Sequence, residues 1–113
     1  MVESSLLPSC LSPGERSVLL RFREELAARL GDRLSEVILF GSRARGEGHG
    51  DSDLDVLVAV RELGRQERRA LLDIATDLLT ETGLVISPTI VDPVRFDRTT
   101  AFATHVARDG VRL

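Results

Sequence analysis

The sequence predicts an α/β domain, of the α+β kind, built on a small mixed β-sheet flanked by helices. Three observations point there. Apolar residues recur at three- and four-residue spacing over two long stretches, short apolar or alternating runs follow each of them, and the two kinds of segment alternate along the chain. The 113 residues suffice for one domain. A domain of this size buries about two thirds of the surface its unfolded chain exposes, enough for one modest core and one site. A large second substrate therefore calls for another copy of the chain or another protein.

Residues 1–11 read as a loose leader and residues 12–113 as the domain. Ser12-Pro13-Gly14-Glu15 starts a helix, with serine as N-cap, proline at the first helical position and glutamate as capping-box partner. Val18, Leu19, Phe22, Leu26 and Leu30 form its apolar stripe, and Gly31 stops it. Val37-Ile38-Leu39-Phe40 is a short apolar run ended by Gly41, which suits a strand covered on both faces. After a glycine-punctuated stretch to Gly50, residues 52–60 alternate. Leu54, Val56, Val58 and Val60 share one face, and Asp53, Asp55, Leu57 and Ala59 the other.

A second helix follows from Gln66 to Thr80, with Leu71, Ile74 and Leu78 in its stripe and Gly83 as its stop. Leu84 to Val91 is rich in β-branched residues but contains Pro88, which places it at a sheet edge where a missing N–H is tolerated. Asp92-Pro93 caps a turn, and Thr99 to Ala107 makes a last helix before the terminal Gly110-Val111-Arg112-Leu113.

Charge and composition exclude several chemistries. Fifteen basic against eighteen acidic residues give a net charge of -3, which leaves no electrostatic footprint for nucleic acid. Every basic residue is an arginine, so Schiff-base and lysyl-nucleotide chemistry and a phosphate-loop lysine are excluded. Cys10 stands alone, and His49 and His105 give no zinc spacing. No apolar run approaches the ~20 residues of a membrane helix. These features fit a soluble chain in a reducing, cytoplasmic compartment. The four phenylalanines read as core, and His49 and His105 as solvated or half-buried. Arg61, Arg65, Arg68 and Arg69 crowd the start of the second helix, where the helix dipole disfavours cations. A solvated face accounts for them, and an acidic partner is the other reading.

Chemistry concentrates between residues 41 and 58. Asp53 and Asp55 lie two apart on a strand, so both carboxylates project from one face about 6.6 Å apart along the chain. They repel unless a cation lies between them, and hard divalent ions prefer such oxygen ligands. Two Mg2+ ions ~3.5 to 4 Å apart would be held well at this separation. Gly41-Ser42 ends the preceding strand without a bulky side chain, so backbone N–H groups can approach phosphate. Ser42 adds a hydroxyl, and Arg43 or Arg45 can balance phosphate charge. Neither half is specific alone.

Joined as Gly-Ser-Arg-Ala-Arg-Gly, a short spacer, then Ser-Asp-Leu-Asp before an apolar strand, the two halves closely resemble the signature of the minimal nucleotidyltransferases of the DNA polymerase β superfamily. The resemblance implies the nucleotidyltransferase fold and transfer of a nucleoside monophosphate from a Mg2+-bound triphosphate, ATP foremost, to a hydroxyl acceptor. It makes Gly41 and Ser42 triphosphate ligands, and Asp53 and Asp55 metal ligands. It also implies a partner, since small members of this family act as antitoxins to all-helical HEPN-type ribonuclease toxins, sometimes by nucleotide transfer onto the toxin.

One departure is visible. The resemblance calls for a third acidic residue on the third strand, and the matching position here is Ser87, which is no anionic ligand. Asp92 has opposite parity and faces away in a regular strand. Asp51 shares parity with the pair, but reads as a loop-end residue. Two functions follow: an enzyme relying on two carboxylates, or a degenerate nucleotidyltransferase module that acts by docking on its partner.

Overall fold

The computed structural model describes Pro8, residues 11–47 and residues 53–113. In chain order these form α1 (Pro13–Leu30), a 3-10 turn (Gly31–Arg33), β1 (Leu34–Phe40), β2 (Leu54–Val60), α2 (Arg65–Thr82), β3 (Ile86–Val91), α3 (Ala101–Asp109) and β4 (Val111–Arg112). The capping box at the head of α1 closes in both directions. Ser12 Oγ accepts from the Glu15 amide at 3.0 Å, and Glu15 Oε1 accepts from the Ser12 amide at 2.8 Å.

The sheet is mixed, in the order β3-β2-β1-β4. β1 pairs antiparallel with β2 and β4, whereas β2 and β3 run parallel. Pro88 thus sits on an edge strand, where a residue lacking an N–H is tolerated. β4 is the element that the pattern of residues does not announce, because two residues carry no periodicity. Its register is nevertheless firm, with Arg112 opposite Ile38, Val111 opposite Leu39, and the Leu113 amide bonded to the Val37 carbonyl at 2.8 Å.

The alternation along β2 sorts the core. Leu54, Val56, Val58 and Val60, with Val37 and Leu39 of β1, pack against the stripes of α1 and α2. Leu57 and Ile38 face the other way, onto Val106 of α3, with Phe40 and Val91 alongside. Phe102 stands edge-on to Phe40 at 5.3 Å between centroids and to Phe96 at 6.3 Å. Asp55 has the parity of Leu57, so it emerges on the α3 face of the sheet, at the entry to β2.

Most of the expected leader, including Cys10, lies outside the described residues. Leu11 departs from the loose-leader reading: it is 3% exposed and part of the main core. No helix among the described residues is long and apolar enough to cross a membrane.

Candidate active site

The site begins where β1 ends. Phe40 is opposite Asp55 in the antiparallel ladder, and Gly41 then turns the chain with φ +79°, a conformation that residues with a β-carbon rarely adopt. A β-carbon at position 41 would stand 2.6 Å from Asp55 Oδ2. Only glycine therefore lets the turn rest directly against this carboxylate.

Residues 42–46 coil as a run of turns rather than as a regular helix. The Ala44 and Arg45 amides donate to the Gly41 carbonyl at 3.1 and 3.3 Å, and the Glu47 amide donates to the Ser42 carbonyl at 2.8 Å. Among the described residues the amides of Ser42 and Arg43 are not among the donors that hold this turn together. Ser42 itself is partly exposed.

Asp53 and Asp55 approach from β2. Burial, and then the neighbouring charge of Asp53, push the Asp55 carboxyl above the ordinary carboxylate range. Ser87 of β3 is paired with Asp55 in the parallel register, and its hydroxyl donates to Asp53 Oδ2 at 3.1 Å. The three side chains thus converge as strand parity indicates, with a neutral hydroxyl as the third member. Asp92 lies at the opposite end of β3, beside Val60 and Leu63. Asp51 and His49 lie outside the described residues.

The two arginines of the turn part company. Arg45 is exposed on the rim, with Nε 3.2 Å from Glu47 Oε2 and an Nη 3.8 Å from Asp109 Oδ2 at the end of α3. Arg43 points inward instead and is 2% exposed. Its guanidinium meets both carboxylate oxygens of Glu15 at 2.8 and 2.7 Å. Arg43, expected as a phosphate ligand, is thus a buried strut between the turn and the head of α1, since its charge is already matched by Glu15. Its Nε is buried with no partner among the described residues. Burial raises the Glu15 pKa, but the Ser12 amide and Arg43 outweigh that, and the carboxyl lies below its usual range.

Glu15 is the residue that sequence reasoning did not place at the site. It was legible as a capping glutamate, and nothing in its spacing shows that it also holds the turn 28 residues away.

The donor set suits Mg2+, a hard cation that keeps several waters and binds through one or two carboxylates plus substrate phosphates. Two carboxylates stand together here, one of them disfavoured in its charged form by the other, and a cation between them relieves that repulsion. Among the described residues no group of three His, Cys, Asp or Glu side chains converges to cage a metal without substrate.

A Gly-Ser turn against an acidic pair, on a four-stranded mixed sheet backed by two helices, is the architecture of a nucleotidyl-transferring domain. Residues 19–103 match the nucleotidyltransferase domain family, and the chain belongs to it. The relative named "Putative protein adenylyltransferase MJ0141", from Methanocaldococcus jannaschii, is 33% identical over 99 residues, spanning 85% of this chain and 95% of the relative. A solved structure of a "putative minimal nucleotidyltransferase" superposes with a TM-score of 0.55 at 30% identity, covering 86% of this chain and 93% of the other. The same fold occurs in a toxin–antitoxin complex crystallised with AMP-PNP, with a TM-score of 0.54, 22% identity, and coverage of 81% and 69%.

Proposed function

We propose that this chain binds a Mg2+ nucleoside triphosphate, ATP in the first instance, and transfers the nucleoside monophosphate to a hydroxyl of a partner protein. The observation that carries this reading is the contact between Gly41 and Asp55, which joins a phosphate-accessible turn to a carboxylate pair. Gly41 and Ser42 offer backbone and hydroxyl donors to the β- and γ-phosphates, and Arg45 on the rim adds charge that Glu47 and Asp109 keep oriented. Asp53 and Asp55 hold the metal, which neutralises phosphate charge when bound. Arg43 acts at one remove by fixing the turn.

In the reaction the acceptor oxygen forms a bond to the α-phosphorus, the bond from that phosphorus to the α–β bridging oxygen breaks, and pyrophosphate leaves. The acceptor's proton passes to water, because Ser87 is not a base. Catalysis on this scheme is positioning and charge neutralisation. A protein acceptor is supported by the name of the relative aligned over most of both chains. Likeness to an antitoxin partnered by its toxin makes a HEPN-type toxin the first acceptor to test, in a cytoplasmic setting. Self-association is a separate question for the same preparation. Calorimetry with MgATP tests the nucleotide half: binding heat is expected for the wild type and a large loss for Asp53→Ala, and no heat for the wild type would overturn it.

A second reading is favoured by one observation, the neutral Ser87 opposite Asp55. On it the chain is a docking module that neutralises its partner without transfer. It requires a tight complex that Asp55→Asn leaves intact.

A further inference from the structure

We propose a second anion site, for the phosphoryl group of a small ligand, at the far end of the sheet. A cavity of about 340 Å³ opens where β2 and β3 end and α2 begins. Its floor is apolar, with Leu63 and Ile90, and Arg65, Arg68 and Arg95 line it together. The six residue steps from Leu54 to Val60, at ~3.3 Å each, place it about 20 Å from the carboxylate pair. A triphosphate seated at Gly41 does not fill it.

Arg65 and Arg68 come from the first turns of α2, and Arg95 from the turn after β3. That turn is fixed by the Val94 amide donating to Asp92 Oδ1 at 2.9 Å and by the Arg95 amide donating to the Asp92 carbonyl at 3.1 Å. None of the three arginines forms an ion pair among the described residues. Among the described residues Asp92 is the one carboxylate on the cavity wall. Glu67, the acidic residue in the first turn of α2, is occupied by Arg33 at 2.7 Å and by the Gly64 amide. Three guanidiniums thus face one carboxylate, two of them at a helix end where cations are disfavoured.

Among the described residues this crowding is matched by Asp92 alone, and a bound anion would supply the remaining compensation. Guanidinium forks match phosphate oxygens in pairs, which favours a phosphoryl group over a single carboxylate. The apolar floor offers contact to the rest of the ligand, and the volume falls within the range of small-molecule sites.

The test is an amide NMR titration of the full chain with pyrophosphate and with AMP, in EDTA so that the metal-dependent site is silent. Saturable shifts are expected at Gly64, Arg65, Arg68 and Arg95. Arg68→Gln/Arg95→Gln should weaken binding by about tenfold or more, equivalent to the loss of ~1.4 kcal/mol. Asp53→Asn should leave it unchanged, which separates this site from the transfer reading. These arginines are exposed, so the variant should fold, with a melting temperature no lower than that of the wild type without anion. Absence of shifts at these amides, or equal shifts in the double variant, would overturn the proposal. So would a response to polyglutamate with none to either phosphate, which would assign the surface to an acidic protein segment.

Discussion

Gly41 and Asp55 are in direct contact, with the position of a β-carbon on Gly41 falling 2.6 Å from Asp55 Oδ2. The turn that would receive phosphate and the strand that would hold metal are therefore one mechanical unit. Gly41→Ala should cost about 1–2 kcal/mol in left-handed backbone strain alone. It must also displace the Asp55 carboxylate. Denaturant unfolding and MgATP calorimetry should show reduced stability and lost nucleotide binding together, and a variant that binds as tightly as the wild type would show that the contact is dispensable.

The Glu15–Arg43 pair predicts a different pattern. Removing one partner of a buried pair leaves an unmatched charge and costs roughly 3–5 kcal/mol, whereas replacing both by apolar groups of similar volume is often nearly neutral. Glu15→Gln should therefore destabilise severely. Glu15→Leu/Arg43→Met should recover most of the stability while binding MgATP more weakly, because the turn loses its strut. Recovery of both properties would reduce the pair to a packing element.

Ser87 offers a gain-of-function test. Ser87→Asp would set a third carboxylate opposite Asp55 and exchange the 3.1 Å hydrogen bond to Asp53 for repulsion. The variant should be less stable than the wild type without metal and gain more from added Mg2+, by thermal unfolding. Unchanged metal response would mean that position 87 does not reach the ions.

Away from the site, Arg33 and the Gly64 amide hold the Glu67 carboxyl well below its usual range, at about 2. For a carboxylate with a depressed folded pKa, the native state favours the charged form. The contribution is present above the ordinary value of 4.5 and is lost as pH falls through about 2. Denaturation midpoints from pH 7 to 2 should show wild type and Glu67→Gln converging at the acid end. Parallel curves would remove Glu67 as a source of the acid sensitivity.

The strand pattern made much of this legible in the sequence. Parity along 52–60 placed the two aspartates and the core valines on opposite faces, the resemblance to the minimal nucleotidyltransferases matched Ser87, the partner of Asp55, to the third acidic position, and Asp92 lies away at the other end of β3. Arg43 was not legible, since an arginine beside a Gly-Ser turn suits phosphate and a buried partner equally well. Its acceptor lies at the head of another element, and local spacing carries no sign of that contact. Leu11 and β4 were hidden for a related reason: single residues and two-residue strands acquire their role from tertiary packing, with no period to announce it. The basic cavity was half visible, because Arg65 and Arg68 stand out in α2 and Arg95 joins them only through the fold.

Transfer itself is the central claim, and label transfer tests it most directly. The chain, a HEPN-type toxin offered as acceptor, Mg2+ and ATP labelled at the α-phosphate should yield labelled toxin with the wild type. Asp53→Asn and Asp55→Asn should yield none while still forming the complex. An unlabelled partner in a tight wild-type complex would contradict the enzyme reading and leave the chain as a docking module.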